Sequence, residues 1–125
     1  MNTKERGDIA VGFAISYFLS RGHEVCLPIG DKRPYDVIVE KDNNLSRVQI
    51  KYAGYSTKKN RCQAGLRITG GNQSYTYAKK YNSNDFDLLF VYTAKEECYI
   101  IPWKSLDIRN ELTIDAEKYR RYRVD

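Results

Sequence analysis

The sequence predicts a domain of the α/β or α+β class, built on one central sheet. One segment with helical periodicity opens the chain, and apolar segments of strand length follow it, separated by Gly, Asn and Pro turn signals. At 125 residues the chain has the length of one domain with one core. We therefore treat residues 1–125 as a single domain.

The opening segment, residues 4–21, predicts a helix. Asn2 can cap its start, because Glu5 stands three residues further on, and Gly22 is a stop signal just past its end. The apolar residues of this segment recur at helical spacing, which predicts that one face packs on the core. They are Ile9, Ala10, Phe13, Ala14, Tyr17 and Phe18.

Three predicted strands follow the helix. The first lies within residues 23–29 and ends near Pro28, and a loop then leads to Pro34. The other two lie within residues 34–53 and form a hairpin. We place its tight turn at Asn43–Asn44, because Asn tolerates the positive φ that such turns need.

The rest of the chain is less regular. Residues 54–74 are rich in Gly, Ser and Asn with one candidate strand at Leu66–Thr69, and residues 74–81 fit either a short helix or an extended segment. Two further strands are predicted around a turn near Lys95–Glu96, and residues 118–125 form a basic C-terminal tail.

The predicted hairpin places three polar residues together. Side chains alternate along a strand, so Asp36, Gln49 and Lys51 share the face opposite the apolar one. The predicted cross-strand pairs are Val39–Val48 and Val37–Ile50 on the apolar face, and Asp36–Lys51, Ile38–Gln49 and Glu40–Arg47 on the other.

This polar cluster admits two interpretations. The first is an exposed cross-strand ion pair, worth under ~1 kcal/mol. The second is a metal site for phosphodiester hydrolysis, because a carboxylate and an amide oxygen are hard ligands suited to Mg²⁺. The neighbouring lysine would then position the attacking water or stabilise charge on the phosphate. The hairpin alone leaves both interpretations open.

Charge is unevenly distributed along the chain, whose net charge is +5. Residues 52–84 contain six Lys or Arg and no Asp or Glu, whereas residues 85–117 contain eight acids against three bases. A long acid-free span suits a phosphate-facing surface, although a solvated face has the same composition. We predict that an insertion of about residues 54–84 contacts nucleic acid.

Cysteine spacing and hydropathy argue against several classes of protein. Cys26, Cys62 and Cys98 are far apart and lack CxxC spacing, which disfavours a zinc cluster or a disulfide framework and favours a reducing cytoplasm. No apolar run has the length of a membrane span, and we expect neither a signal peptide nor a membrane partner.

Pro34-Tyr35-Asp36, followed by Gln49-Ile50-Lys51, resembles the signature of the PD-(D/E)XK nucleases in a relaxed form. The segments RGDIA, RGHEVCLPIGDKRPYDVIVE, RVQIKYA and DFDLLFVY with YIIPW occur in the order seen in that superfamily. They are most similar to its bacterial homing endonuclease branch, found in group I introns. The resemblance covers most of residues 4–104.

The resemblance implies a restriction-endonuclease-like fold, with a central mixed sheet flanked by helices. It also implies sequence-specific cleavage of double-stranded DNA, dependence on Mg²⁺ for which Mn²⁺ substitutes, and a dimer or tetramer in the bacterial cytoplasm, associated with the nucleoid. Asp36 would be the central metal-bridging carboxylate, with a side-chain oxygen of Gln49 and the carbonyl of Ile50 as further ligands. Lys51 would be the signature lysine.

Val11 is the main departure from the family pattern. Family members commonly carry Glu directly after a GDIA-like sequence, and here Val11 occupies that position. It is also an ordinary residue for the core face of an apolar helix, while Asp8 is an alternative acid one turn earlier. With Asp36 as the remaining signature carboxylate, the chain either cleaves weakly or holds DNA without cutting it. A Holliday-junction resolvase of the same fold is a third alternative.

Candidate DNA-contacting residues combine phosphate contacts with base readout. Arg can read guanine and Gln can read adenine in the major groove, while Lys, Arg and Tyr hydroxyls contact phosphates. A chain of this size reads a long target by symmetry, which predicts a homo-oligomer, and the basic tail serves either a subunit interface or flanking phosphates. The candidates are Lys32, Arg33, Lys58, Lys59, Arg61, Gln63, Arg67 and Gln73, with Tyr52, Tyr55, Tyr75, Tyr77 and Tyr81 as hydroxyl donors.

Overall fold

The computed structural model of the chain describes residues 1–30, 32–71, 76–106 and 110–125, with the backbone alone for 67–71 and 76–80. Two 3₁₀ segments, Trp103–Ser105 and Glu117–Tyr122, accompany the main elements. The main elements are α1 (Thr3–Ser20), β1 (Glu24–Cys26), β2 (Val37–Lys41), β3 (Asn44–Ser56), β4 (Arg61–Gly65), β5 (Arg67–Gly71), β6 (Thr76–Lys80), β7 (Leu88–Thr93), β8 (Cys98–Pro102) and β9 (Glu111–Thr113). The predicted α+β class is confirmed.

α1 begins and ends close to the predicted residues. The Asn2 side chain accepts a hydrogen bond from the Glu5 amide (2.9 Å), and the Glu5 carboxylate accepts one from the Asn2 amide (3.4 Å), which completes a capping box. Gly22, with a φ of +85°, follows the helix end. Within the described ranges, no helix combines the length and hydropathy of a membrane span.

Seven strands form one mixed sheet, in which the long strand β3 has three partners. β2 pairs antiparallel with residues 44–48 of β3, β4 pairs antiparallel with residues 54–56, and β7 pairs in parallel with residues 48–53. β1 extends the sheet beyond β2, β9 beyond β4, and β8 beyond β7. β5 and β6 form a separate two-stranded ribbon.

β2 and β4 lie along the same edge of β3 and leave an interval between them. The amide and the carbonyl of Cys62 in β4 form hydrogen bonds on the side away from β3. The residues on either side of Cys62 therefore face β3, where their partners are the even-numbered residues Gly54 and Ser56. At the other end, the Asp36 amide donates to the carbonyl of Val48, also an even-numbered residue (2.8 Å). Within the described residues, positions 49–53 therefore have no strand on this edge. We call this interval the edge gap.

The β2–β3 hairpin turns at Asp42–Asn43, one residue before the predicted turn. Both residues have positive φ, 54° and 66°, as a type I′ turn requires. Cross-strand partners therefore shift by two residues, which preserves the face of every side chain. The predicted register is wrong, and the observed pairs are Val37–Val48, Ile38–Arg47, Val39–Ser46 and Glu40–Leu45.

The sheet separates two core clusters. On one face α1 contributes Ala10, Ala14 and Phe18, which pack with residues of the sheet. The opposite face packs against the segments that follow β6 and β8. Because Val48 and Ile50 belong to the first cluster and Ala53 to the second, Gln49 and Lys51 point to the face away from α1.

Arg47 fastens β3 to the start of β7, rather than pairing with Glu40. Its Nε lies 3.2 Å from Asp87 Oδ2, its amide donates to the same oxygen (2.8 Å), and the Asp87 amide donates to the Arg47 carbonyl (2.9 Å). The hydrogen-bonded guanidinium lowers the pKa of the Asp87 carboxyl. This clamp fixes the parallel register of β3 and β7.

The second half of the chain contains more strand than expected. Residues 54–84 hold β4, β5 and β6, and the alternative of a helix at 74–81 is wrong for its described part, which is strand β6. The predicted strand pair around Lys95–Glu96 is confirmed as β7 and β8. The tail is tied to β8, because the Val124 amide donates to the Cys98 carbonyl (2.9 Å) and Arg123 pairs with Glu97 (3.0 Å).

Candidate active site

Asp36 lies where β2 diverges from β3, at the edge gap. Its Oδ2 accepts a hydrogen bond from the Ile50 amide at 2.8 Å, so the carboxylate replaces the carbonyl that a strand would supply. The residue keeps exposed surface, while this contact is part-buried. Burial raises the pKa of the carboxyl, against the opposing effects of the Ile50 amide and the charge on Lys51. Among the described residues no hydrogen bond reaches Oδ1, which remains available to a ligand.

The Gln49 amide and the Ile50 carbonyl meet at the same place. Gln49 is 8% exposed, and its Nε2 lies 3.3 Å from the Ile50 carbonyl oxygen. This carbonyl points to the same edge of β3 as the Ile50 amide, and therefore towards Asp36. Rotation of the Gln49 amide by half a turn places Oε1 where Nε2 now stands.

These donors fit a Mg²⁺ ion that keeps several waters. One carboxylate, one backbone carbonyl and one amide oxygen are hard ligands, and Mg²⁺ takes few protein groups. Over the ranges that the structure describes, no three His, Cys, Asp or Glu side chains come together. Among the described residues, the charge interactions of Asp36 and Lys51 involve no second carboxylate, so a site in the edge gap would depend on Asp36 for its negative charge.

Lys51 completes the polar cluster, and its ammonium lies over the ring of Tyr81. The Lys51 Nζ lies 5.3 Å from the centroid of the Tyr81 ring. Burial lowers the pKa of Lys51 while Asp36 opposes the change, and burial raises the pKa of Tyr81 to about 12, with the charge on Asp36 adding to the rise. The sequence placed Tyr81 only in a group of tyrosines for phosphate contact, and its position beside Lys51 was not predicted.

Two comparisons with known proteins agree with this geometry. A profile of the PD-(D/E)XK endonuclease family matches residues 1–123. The chain belongs to this family. The structure is also similar to that of a bacterial homing endonuclease, I-Ssp6803I, with a TM-score of 0.80 and 30% identity, over 98% of this chain and 89% of that one. No curated protein sequence matches the chain.

The predicted family, its homing endonuclease resemblance and the restriction-endonuclease-like fold are therefore confirmed. Both comparisons support a DNA endonuclease. The assignment of the signature to Pro34, Asp36, Gln49 and Lys51, with Gln49 in place of the acid, stays a prediction.

Val11 lies on the α1 side of the sheet, away from Gln49 and Lys51. It is half-buried and packs against the cluster that contains Val48 and Ile50. Asp8 is exposed.

Two groups of the predicted DNA-contacting residues are exposed. Lys32 and Arg33 are exposed just before Asp36 and form no ion pair with the described residues. Lys58, Lys59 and Arg61 lie at or beside the turn between β3 and β4, and Lys59 pairs with Glu111 (3.3 Å).

Among the remaining predicted DNA-contacting residues, one side chain is engaged in a hydrogen bond within the sheet, and others lie where the structure does not describe the side chains. Gln63 donates to the Thr113 hydroxyl (3.2 Å), so its amide is engaged between β4 and β9. Arg67 lies in β5, of which the backbone alone is described, and Gln73 lies outside the described residues, as does Tyr75.

Proposed function

We propose that this chain is a Mg²⁺-dependent, sequence-specific endonuclease of double-stranded DNA, of the homing endonuclease type. One observation carries the proposal: Asp36, the Ile50 carbonyl, Gln49 and Lys51 converge in a gap of the sheet edge. In a protein of this family, an oxygen cluster beside a half-buried lysine is suited to phosphodiester hydrolysis.

Each residue of the edge gap has a distinct role in this proposal. Asp36 holds the ion through its free oxygen, while the Ile50 amide fixes the carboxylate. Gln49 and the Ile50 carbonyl supply further oxygens, and Lys51 stabilises charge on the phosphate or positions the attacking water. When bound, Mg²⁺ supplies the charge that polarises the scissile phosphate, and Mn²⁺ substitutes for it. Gln49 lacks the charge of a Glu, so we expect weaker metal affinity than at a two-acid site.

The DNA would run past the edge gap along exposed cations. Lys32 and Arg33 lie three to four residues before Asp36, and Lys58, Lys59 and Arg61 follow the end of β3. The β5–β6 ribbon has a shape that the major groove admits, and its sequence contains Arg67 and no acid. We propose that the ribbon reads the target, with Gln73, which lies outside the described residues, as a further base contact, while the exposed cations bind phosphates.

We also propose that two or more copies assemble on the DNA. The outer face of α1 supports this, because Ile9 and Phe13 are 36% and 46% exposed there, beside Gly12 and Ser16. We call these four residues the α1 outer face. An apolar helix face of this kind suits a self-complementary, two-fold contact.

Cleavage of a random-sequence DNA library, with Mg²⁺, with Mn²⁺ and without metal, tests the proposal. We expect metal-dependent cuts at a recurring sequence. Asp36→Asn keeps an oxygen for the Ile50 amide, and Lys51→Ala removes the ammonium; each should slow cleavage by at least about 100-fold while DNA binding persists. Lys41→Ala, at the far end of the same hairpin, is the matched control and should cut normally. Full cleavage by both Asp36→Asn and Lys51→Ala would refute the assignment.

A non-cleaving DNA-binding protein is the second candidate, and Val11 favours it, because an apolar residue stands at the position where the family pattern has an acid. Salt-sensitive binding without cuts in either metal would establish that function. Preference for four-way junctions over linear DNA would instead indicate a resolvase.

A further inference from the structure

We propose that Tyr81 is a positioning residue for Lys51, acting through the face of its ring rather than through its hydroxyl. This inference rests on the proposed nuclease function. The Lys51 Nζ lies 5.3 Å from the Tyr81 ring centroid, and Tyr81 is 4% exposed. A cation within about 6 Å of an aromatic ring is attracted to its face, more strongly when both groups are desolvated.

Lys51 has no other fixed partner in the described part of the chain. It forms no hydrogen bond and no ion pair there, and Asp36 acts on it only through the longer-range charge interaction. A lysine side chain has a flexible four-carbon stem, so an unrestrained ammonium would occupy many positions. The Tyr81 ring restricts that freedom on the face where Gln49 also lies.

Tyr81 is itself held by a rigid aromatic group. Its ring meets Phe86 edge-on at 5.2 Å and Trp103 edge-on at 6.0 Å, and Phe86 packs on Trp103 at 4.4 Å. The Trp103 Nε1 donates to the Asn82 carbonyl (3.0 Å), which fixes the residue next to Tyr81. The aromatic group therefore fixes the position of the Lys51 ammonium relative to the core.

The same residue joins the core to the ribbon. Tyr81 directly follows Lys80, the last residue of β6. DNA held by the ribbon would thus lie at a set distance from the Lys51 ammonium. Loss of the ring should accordingly lower kcat more than it changes KM.

The test compares Tyr81→Leu, Tyr81→Phe and Phe86→Leu on a DNA sequence selected from the library. We expect Tyr81→Leu to lower kcat by about tenfold, with KM within about twofold, and Tyr81→Phe to retain wild-type kcat because it keeps the ring. Phe86→Leu weakens the support of the Tyr81 ring without removing the ring, and should lower kcat by less than Tyr81→Leu does. Equal loss in Tyr81→Phe and Tyr81→Leu would overturn the proposal in favour of the hydroxyl.

A second measurement needs neither cleavage nor DNA. The ring current of Tyr81 should move the Lys51 Hε NMR signals upfield in the wild type and in Tyr81→Phe. Signals at random-coil positions in the wild type would overturn the proposal, even if Tyr81→Leu does not fold.

The two proposals fail in different ways. Wild-type cleavage by Lys51→Ala and Asp36→Asn would remove the proposed active site. Wild-type cleavage by Tyr81→Leu, with Lys51→Ala inactive, would remove only the role of Tyr81.

Discussion

Asp36 shows how one residue can have both a structural and a chemical role. Its carboxylate accepts the Ile50 amide at 2.8 Å, which satisfies a backbone donor in the edge gap that β2 leaves open. The second oxygen then remains for a ligand. Val11, in contrast, packs against the core cluster on the α1 side of the sheet and contributes no oxygen.

Val11→Glu should raise the rate of Mg²⁺-dependent cleavage by about tenfold or more, since a second carboxylate would strengthen divalent metal binding. We expect a stability loss of about 1 kcal/mol, because Val11 is half-buried. Cleavage rates of the selected DNA measure the first effect, and urea unfolding measures the second.

Leu19→Glu is the matched control, because Leu19 is on the same helix but 55% exposed. It introduces the same charge away from the gap and should not change cleavage. If Val11→Glu and Leu19→Glu behave alike, the alignment of the first helix is wrong.

Among the elements, the β2–β3 hairpin shows why a wrong register left the cluster intact. The turn uses Asp42 and Asn43 instead of Asn43 and Asn44, which moves each pair by two residues. Two is the side-chain period of a strand, so the apolar face stays buried and the polar face stays together.

Asn43→Val should destabilise the fold by about 1–2 kcal/mol, because a β-branched residue is strained at the φ of 66° found there. Asn44→Val should cost less than about 0.5 kcal/mol, because Asn44 is the first residue of β3. The free energy of urea unfolding distinguishes the two. Equal costs, or a larger cost at Asn44, would favour the turn that the sequence predicted.

At the scale of the whole molecule, the edge gap lies between two hairpins that use the same edge of β3. β2 precedes β3 and β4 follows it directly in the chain, while β9 and the tail, from a distant part of the sequence, close the opposite core. Tyr99, in β8, is 4% exposed and donates to Glu97 (3.1 Å), next to the ion pair that ties down the tail.

Tyr99 should make the fold sensitive to alkaline pH. Burial, followed by the charge on Glu97, raises its pKa to about 12, whereas an unfolded tyrosine titrates near ~10. The folded state therefore binds this proton more tightly. The associated stability is complete below about pH 10 and is lost as the pH rises towards about 12.

Tyr99→Phe should flatten this alkaline decline, at a cost of about 1 kcal/mol near neutral pH for the lost hydrogen bond. Urea unfolding at a series of pH values measures it, with the exposed Tyr55→Phe as control. Parallel declines in the wild type and Tyr99→Phe would contradict the prediction.

Phe13→Glu should convert an oligomer to monomers, because it places a charge in the α1 outer face, where Phe13 is 46% exposed and stacks on Tyr92 at 4.1 Å. Sedimentation equilibrium measures the mass. Leu45→Glu alters a more exposed residue (66%) at the hairpin end and should leave the mass unchanged. A wild-type monomer would exclude this interface.

Local chemistry in the sequence was enough to determine the capping box at Asn2, the strand alternation and the shared face of Asp36, Gln49 and Lys51, because these depend on residues close together in the chain. The edge gap, the Arg47–Asp87 clamp and the contact of Tyr81 with Lys51 were decided only by the tertiary structure. The clamp and the Tyr81 contact depend on segments that meet across long stretches of chain, and the edge gap depends on which edge of β3 each hairpin uses. Side-chain periodicity carries no information about either choice.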